Sequence, residues 1–517
     1  MKAASVFSDN MVIQAHRCVC IFGECSDNEQ ITVSAVGNTV KAFTGAGRFE
    51  AILPPMDYAD DITVTIRSDS GECVTFTNVA VGEVWLAGGQ SNMEFELHSD
   101  KHGAEELKNC ANEKVRYYYT NKIATVGEQL FQAESNTCWM MPSEQNSVAW
   151  SAAAYYFAKN LSRKLGVTVG VIGCNWGGTS ASCWMPREYL TRRSELRPYI
   201  DDYEKATLGK SEEQMKAEYE EYLDYQGKWE KKMQACYAEN PGISWDEVQR
   251  ICGENRYPGP PGCTNPMRPC GLFDTMVKRV SPYTIRGVLW YQGESDDHRP
   301  DAYYSLMTSL IECWRRQWRD EELPFIMVQL PMFRYAEDPD YKHWCIIRQA
   351  QMKVFRTIKN TGLAVALDCG EFNNIHPVDK SEVGKRLYLQ AMSEVYGLME
   401  RRDTLPPMYR EFYTSGEKAV LLFDNAEGGT ALEGWQEDFE ISGSDGKWYR
   451  ADNGSFIGDK ICISSQEVSQ PAAVRYQWTN YAEVRLFGKN GLPVPPLNTL
   501  GTETVSDGSE GTVIRII

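Results

Sequence analysis

The sequence predicts an α/β protein in which a parallel sheet, covered by helices on both faces, stands between two β-rich regions. Two observations carry this. Between residues 81 and 404, strand-length apolar runs alternate with amphipathic helical stretches, the rhythm of a parallel sheet built with crossover helices. On either side the runs are short, alternate in polarity and are separated by Gly, Asp and Asn, as in small sandwiches. A chain of 517 residues exceeds one ordinary core, so three regions are expected: a β-sandwich-like region at 1–80, the α/β region at 81–404, and a β-rich region at 405–517.

In the first region the strand-like runs are CVCIFGEC, ITVSAV, RFEAILPP, DITVTIRSD and CVTFTNVAV. In the second, strand VGEVWLAGG is followed by helix SVAWSAAAYYFAKNLSRKLG and strand VTVGVIGC. Strand IRGVLWYQ, helix AYYSLMTSLIECWRRQW, strand PFIMVQL, helix WCIIRQAQMKVFRTI, strand GLAVALD and helix DKSEVGKRLYLQAMSEVYG follow. One stretch interrupts this order. Residues of about 190–262 are charged and helix-favouring and end in the loop YPGPPG, which reads as an inserted solvent-exposed helical pair, or as a lid over a site. In such sheets ligands bind at the carboxyl ends of the strands.

Composition excludes several classes. With 71 acidic against 53 basic residues the formal charge is −18, which argues against nucleic acid or an anionic membrane as partner. No run reaches the roughly 18 apolar residues of a membrane helix. The opening MKAASVFSDNMVIQ has no apolar core of a secretory signal, and the 16 Cys show no disulfide framework; both point to a cytoplasmic protein, or to a periplasmic or secreted one if a leader has been removed. No HExxH, Walker A or dinucleotide fingerprint occurs, and no His/Cys cluster has metal-ligand spacing, which weakens those other classes.

Four strand ends carry polar groups suited to chemistry. In LAGGQSNMEF, Ser91 follows a buried strand and two glycines. A hydroxyl at such a turn can attack a carbonyl while its own N–H holds the oxyanion, although a plain strand-to-helix turn reads the same way. A serine needs a base. Of six histidines (His16, His98, His102, His298, His343 and His376), His376 lies on a loop after the last apolar strand, at the same sheet edge as Ser91. Gly177 and Gly178 follow another strand and offer bare N–H groups. Gln292 follows a further strand and offers a carboxamide. Trp176, Trp184, Trp290 and Tyr291 stand beside them and suit sugar faces as well as ordinary packing. A glycosidase would need paired carboxylates, for which Glu94, Glu96 and Glu294 are available, but that reading leaves Ser91 and His376 idle.

The blocks GQSNM, WGGT, WYQGES and IHPxxKxxVGxRL, in this order, resemble the SGNH-type sialate O-acetylesterase family of carbohydrate esterases. The similarity extends from FSDNMVIQ through NPMRPCGLFDTMV to VRYQWTNYAEVRLFGKNGLP. It implies a flavodoxin-like SGNH domain with β-rich accessory domains. It also implies that Ser91 attacks the ester, that His376 relays the proton, that the oxyanion is held by the Ser91 N–H, Gly178 or Gly177, and Gln292, and that no metal or organic cofactor takes part. The implied reaction releases acetate from O-acetylated sialic acid; an acetylated xylan or other glycan is the alternative substrate, and a disabled carbohydrate-binding protein the third option. One departure stands out. The family reads DIHP, but Asn374 occupies the position of the aspartate, and Asn373 precedes it. Glu371, Asp368 or Asn374 itself could orient the imidazole, or the site works as a dyad. Arg268 is the candidate reader of a sialic acid carboxylate, with Trp176, Trp184 and Glu294 as further substrate contacts.

Overall fold

The computed structural model describes residues 1–240, 242–500, 503–506 and 512–515. Pro241 of the expected insertion, and 501–502, 507–511 and 516–517 of the expected C-terminal region, lie outside the described residues. The central sheet contains β1 (Cys73–Gly89), β2 (Val115–Tyr119), β3 (Val169–Asn175), β4 (Gly287–Tyr291), β5 (Phe325–Gln329) and β6 (Thr361–Val365). Their spatial order is β2-β3-β1-β4-β5-β6, and every neighbouring pair here is parallel. Without the edge strand β2 this is a 2-1-3-4-5 order. The sheet therefore grows outward from β1 in both directions, which opens a crevice at the carboxyl end of β1.

Strands β3 to β6 are buried along their whole length, as near-continuous apolar runs in a parallel sheet require. Trp85 and Gly88 on β1 differ by an odd number of positions and so face opposite sides. Trp85 meets Phe157 of α2 (Ala152–Leu165), with ring centroids 5.0 Å apart. Gly88 lies under Trp290 and Trp314, the latter on the helix Tyr303–Trp318. Helices thus cover both faces. Helix α2 begins where the Ser151 hydroxyl accepts the Ala154 N–H, and it ends at Gly166 in the left-handed region.

The two flanking β regions attach differently. Strand β1 runs unbroken through the expected boundary at residue 80. Its first half pairs antiparallel with Ala59–Ser68 and its second half joins the parallel sheet. Val12–Gln14 lies parallel to its middle. The C-terminal region has strands at Met408–Ser415, Lys418–Asp424 and Lys460–Ser464, and a core of its own that includes Phe412, Leu421, Phe439, Val474 and Tyr476. Arg348 ties it to the sheet. Its buried guanidinium donates to the carbonyls of Leu330 and Pro331 after β5, and to those of Thr479 and Asn480. Burial without a carboxylate partner draws its pKa down to about 10.

The insertion is helical. It includes α3 (Arg197–Thr207), α4 (Glu212–Glu239) and α5 (Trp245–Cys252), the last two closing on a small core of Trp229, Val248 and Cys252. All sixteen cysteines are free thiols, and no described helix is long and apolar enough to cross a membrane.

Candidate active site

The site begins at the end of β1. Gly89 has φ +136°, and a Cβ there would fall 2.1 Å from the carbonyl oxygen of Tyr291, so the turn requires glycine. After it Gln90 is extended and Ser91 opens a short helix, α1 (Ser91–Glu94). The Ser91 hydroxyl lies 2.8 Å from His376 Nε2, 285 residues away in sequence. This is hydrogen-bond distance, as proton transfer from serine to imidazole demands. Burial, and then the Lys380 ammonium, hold the His376 pKa below its ordinary value, while Glu94 pulls the other way. The ring is therefore neutral near pH 7 and able to accept a proton.

The three candidates for orienting His376 are all engaged elsewhere. Asp368 is paired with Arg386, whose Nη2 lies 2.8 Å from Oδ2. Glu371 accepts the Asn374 carboxamide at 2.8 Å and the Val378 N–H at 2.9 Å. Asn374 Oδ1 accepts the backbone N–H of His376 at 3.1 Å, not its ring. These side chains fix the shape of the loop. None of them forms a hydrogen bond to the imidazole among the described residues, which corrects the expectation of a third member drawn from this set.

The glycine block packs against Ser91. Trp176 N–H donates to the Gly89 carbonyl, and a Cβ on Gly177 would sit 3.3 Å from Ser91 Cβ. The Gly177 N–H is already given to Glu94 Oε2 at 2.5 Å, and Glu94 is also paired with Lys122. Gly177 is thereby removed from the set of open donors. Gly178 has φ +73°, and a Cβ there would fall 1.6 Å from the Tyr257 hydroxyl and 2.8 Å from Met267 Cε. Tyr257 belongs to the inserted stretch, so the insertion reaches the site.

Gln292 also differs from expectation. Its Nε2 donates to Asp296 Oδ2 at 2.6 Å and to the Thr179 carbonyl at 3.2 Å, and its Oε1 accepts from Tyr303. Both amide hydrogens are spent, so Gln292 holds the loops together and leaves none for an oxyanion. Asp296, which the sequence did not single out, is fully buried. It accepts from Gln292, from Ser180 Oγ at 2.5 Å, from Ala181 N at 3.0 Å and from Tyr199 of α3 at 2.9 Å. Only its place in WYQGESD marked it.

Among the expected substrate contacts, Trp184 is fully buried, donates to Thr179 Oγ1 and packs edge-on against Trp290; it is core. Trp176 is partly buried against the core. Glu294 is buried, with Oε1 bonded to Asn92 and Oε2 without a partner, and burial raises its pKa. Neither Trp184 nor Glu294 presents a surface to substrate. Arg268 folds over Gly271, with Nη1 buried and lacking a hydrogen-bond partner. No group of three or more His, Cys, Asp or Glu side chains among the described residues could hold a metal ion.

Residues 265–393 match a family described as carbohydrate esterase, sialic acid-specific acetylesterase. The mouse sialate O-acetylesterase is 26% identical over 486 residues, spanning 86% of this chain and 83% of the mouse protein. The human sialate O-acetylesterase is 25% identical over 507 residues, 90% and 84% of the two chains. A crystal structure of a carbohydrate acetylesterase from Xanthomonas citri superposes with a TM-score of 0.75 at 25% identity, covering 96% of this chain and 99% of that one. The resemblance read from the motif order therefore holds, and the chain is a carboxylic ester hydrolase similar to the sialate O-acetylesterases.

Proposed function

We propose that this protein hydrolyses O-acetyl esters of sugars through an acetyl-enzyme on Ser91, with His376 as the proton carrier. The observation that carries the reading is the 2.8 Å contact between Ser91 Oγ and His376 Nε2 at the carboxyl end of β1. As Ser91 Oγ bonds to the acetyl carbon, its proton passes to His376 Nε2 and the carbonyl oxygen becomes an oxyanion. The backbone N–H groups of Ser91 and Gly178 are the donors available to it, since neither has a partner among the described residues. Collapse breaks the bond to the sugar oxygen, which leaves with the proton from His376. Water, deprotonated by the same imidazole, then releases acetate. The site is read as a Ser91–His376 pair on a locked loop, with no carboxylate hydrogen-bonded to the imidazole among the described residues.

The 2-1-3-4-5 strand order supports assigning the central region to the flavodoxin-like SGNH class, flanked by accessory regions at 1–80 and 405–517. O-acetylated sialic acid is the first substrate to test, because the mammalian relatives carry that name. It bears a carboxylate, and two guanidinium groups are suited to read it. Arg268 follows Met267 beside Gly178; Arg334 lies 5.8 Å from the ring of Phe372 on the histidine loop, its buried Nε without a hydrogen-bond partner. The second reading is an acetylated xylan or other glycan, since the Xanthomonas citri structure is described only as a carbohydrate acetylesterase. Acetate release from O-acetylated sialic acid and from acetylated xylooligosaccharides separates the two. Sialic acid specificity requires preference for the first, and a loss of that preference in Arg268→Gln or Arg334→Gln. Equal rates on both sugars, unchanged by either substitution, refute it.

A further inference from the structure

The catalytic loop is held by groups that the reaction itself does not use. Asn92, next to the nucleophile and buried, donates its carboxamide to the Ile375 carbonyl at 3.0 Å and to Glu294 Oε1 at 2.6 Å. Its Oδ1 accepts the Lys380 ammonium at 2.6 Å, and the same ammonium donates to the Pro377 carbonyl at 2.7 Å. The peptide carbonyls on either side of His376 are thus gripped from one hub that is covalently joined to Ser91. Lys380 is fully buried and forms no ion pair within 4 Å among the described residues. Its remaining neighbours are aromatic faces, Phe95 at 4.6 Å and Tyr291 at 5.8 Å. Its backbone N–H is fixed by Asp100 at 2.8 Å. A flexible ammonium buried at such cost, and aimed at two carbonyls, has a task.

We propose that Lys380 is a positioning residue: with Asn92 it sets His376 against Ser91, and its cation stands behind the loop that carries the imidazole. This rests on the reading of Ser91 and His376 as the reacting pair. In a site where no carboxylate bonds to the ring, a rigid loop supplies the orientation. The cost is that the nearby cation disfavours the imidazolium. The titratable groups around the pair are Lys380 and Glu94 beside His376, and Glu294, Asp100, Glu371 and the buried, neutral Cys369 thiol beside Lys380. Burial holds Lys380 itself down to about 8, so it is charged through the range in which a histidine base titrates.

The test is the pH profile of kcat/KM on an aryl acetate, for wild type, Lys380→Met and Lys380→Gln, with Ser91→Ala as the control. Lys380→Met removes both charge and donors, and the rate is expected to fall about 10²-fold. Lys380→Gln keeps a donor for a carbonyl and recovers part of that loss. In both variants the acid limb moves to higher pH, because a cation that opposed protonation of His376 is gone. A purely structural lysine would lower the rate and leave the limb where it was. An unmoved limb in the folded Lys380→Gln protein overturns the proposal. Activity persisting in Ser91→Ala overturns the reading on which it rests, whatever the lysine variants show.

Discussion

On the two sides of Ser91 the loops are gathered by buried charges of opposite sign, satisfied in opposite ways. On the glycine side Asp296 collects four neutral donors from three segments: Gln292, the Ser180–Ala181 turn, and Tyr199 of the insertion. On the histidine side Lys380 gives its protons to the carbonyls of Asn92 and Pro377. A carboxylate suits the first side because glycine-rich turns and hydroxyls leave N–H and O–H groups to be claimed. An ammonium suits the second, because a loop around Pro377 lacks one N–H and leaves carbonyls over. Each charge organises what its loop chemistry leaves unpaired, and each does so without a salt bridge. The difference also separates their tasks. The anion shapes the turn that carries Gly178, while the cation stands close enough to His376 to act on its titration.

The largest effect expected is at the centre of this arrangement. Ser91→Ala should lower acetate release by about 10⁴ to 10⁶-fold with the fold intact, measured as kcat on an aryl acetate beside a circular dichroism spectrum. Asp296→Asn breaks the glycine side. A carboxamide cannot accept all four donors and turns an N–H₂ toward them, so a loss of about 3 kcal/mol in denaturant stability and about 10²-fold in kcat/KM is expected. Wild-type stability and rate in this variant would mean that Asp296 gathers nothing that matters.

Asn374→Asp sharpens the histidine side. From the sequence alone, an aspartate here should raise turnover by restoring a charged triad. The structure reverses the sign: Asn374 donates to Glu371 at 2.8 Å, so an aspartate would set two carboxylates against each other and loosen the loop. A rate several-fold below wild type at pH 8, on an aryl acetate, is expected. A higher rate at every pH would show that the new carboxylate has reached the ring. The smallest effect concerns the insertion. Tyr257→Phe removes only the hydroxyl beside Gly178 and should change KM for sugar esters about two- to five-fold, with little change on an aryl acetate.

The parts of the site legible in the sequence are Ser91 and His376, whose side chains the structure brings within hydrogen-bond distance. Ser91 and His376 follow strand ends, and the strand rhythm by itself puts both at one edge of the sheet. What the sequence hides is commitment. Gln292 reads as an open donor, yet a residue four positions on takes one of its hydrogens. Gly177 reads as an open N–H until Glu94 folds back onto it. Trp184 and Trp176 read alike, and only packing makes one core and leaves the other partly exposed. Hydrogen-bond bookkeeping is a property of three-dimensional neighbours, whereas strand and helix periodicity is a property of the chain itself. The central order of strands and helices is therefore readable from one dimension. The continuity of β1 across residue 80 is not, because an antiparallel half and a parallel half look like two elements in a row.

That shared strand makes the amino-terminal layer something other than a detachable cassette. The same seventeen residues that lead into Ser91 also pair with the amino-terminal strands, so the two cannot be exchanged separately without cutting a ladder of backbone hydrogen bonds. The inserted helical stretch differs, because there the chain leaves the sheet and returns to it without sharing a strand.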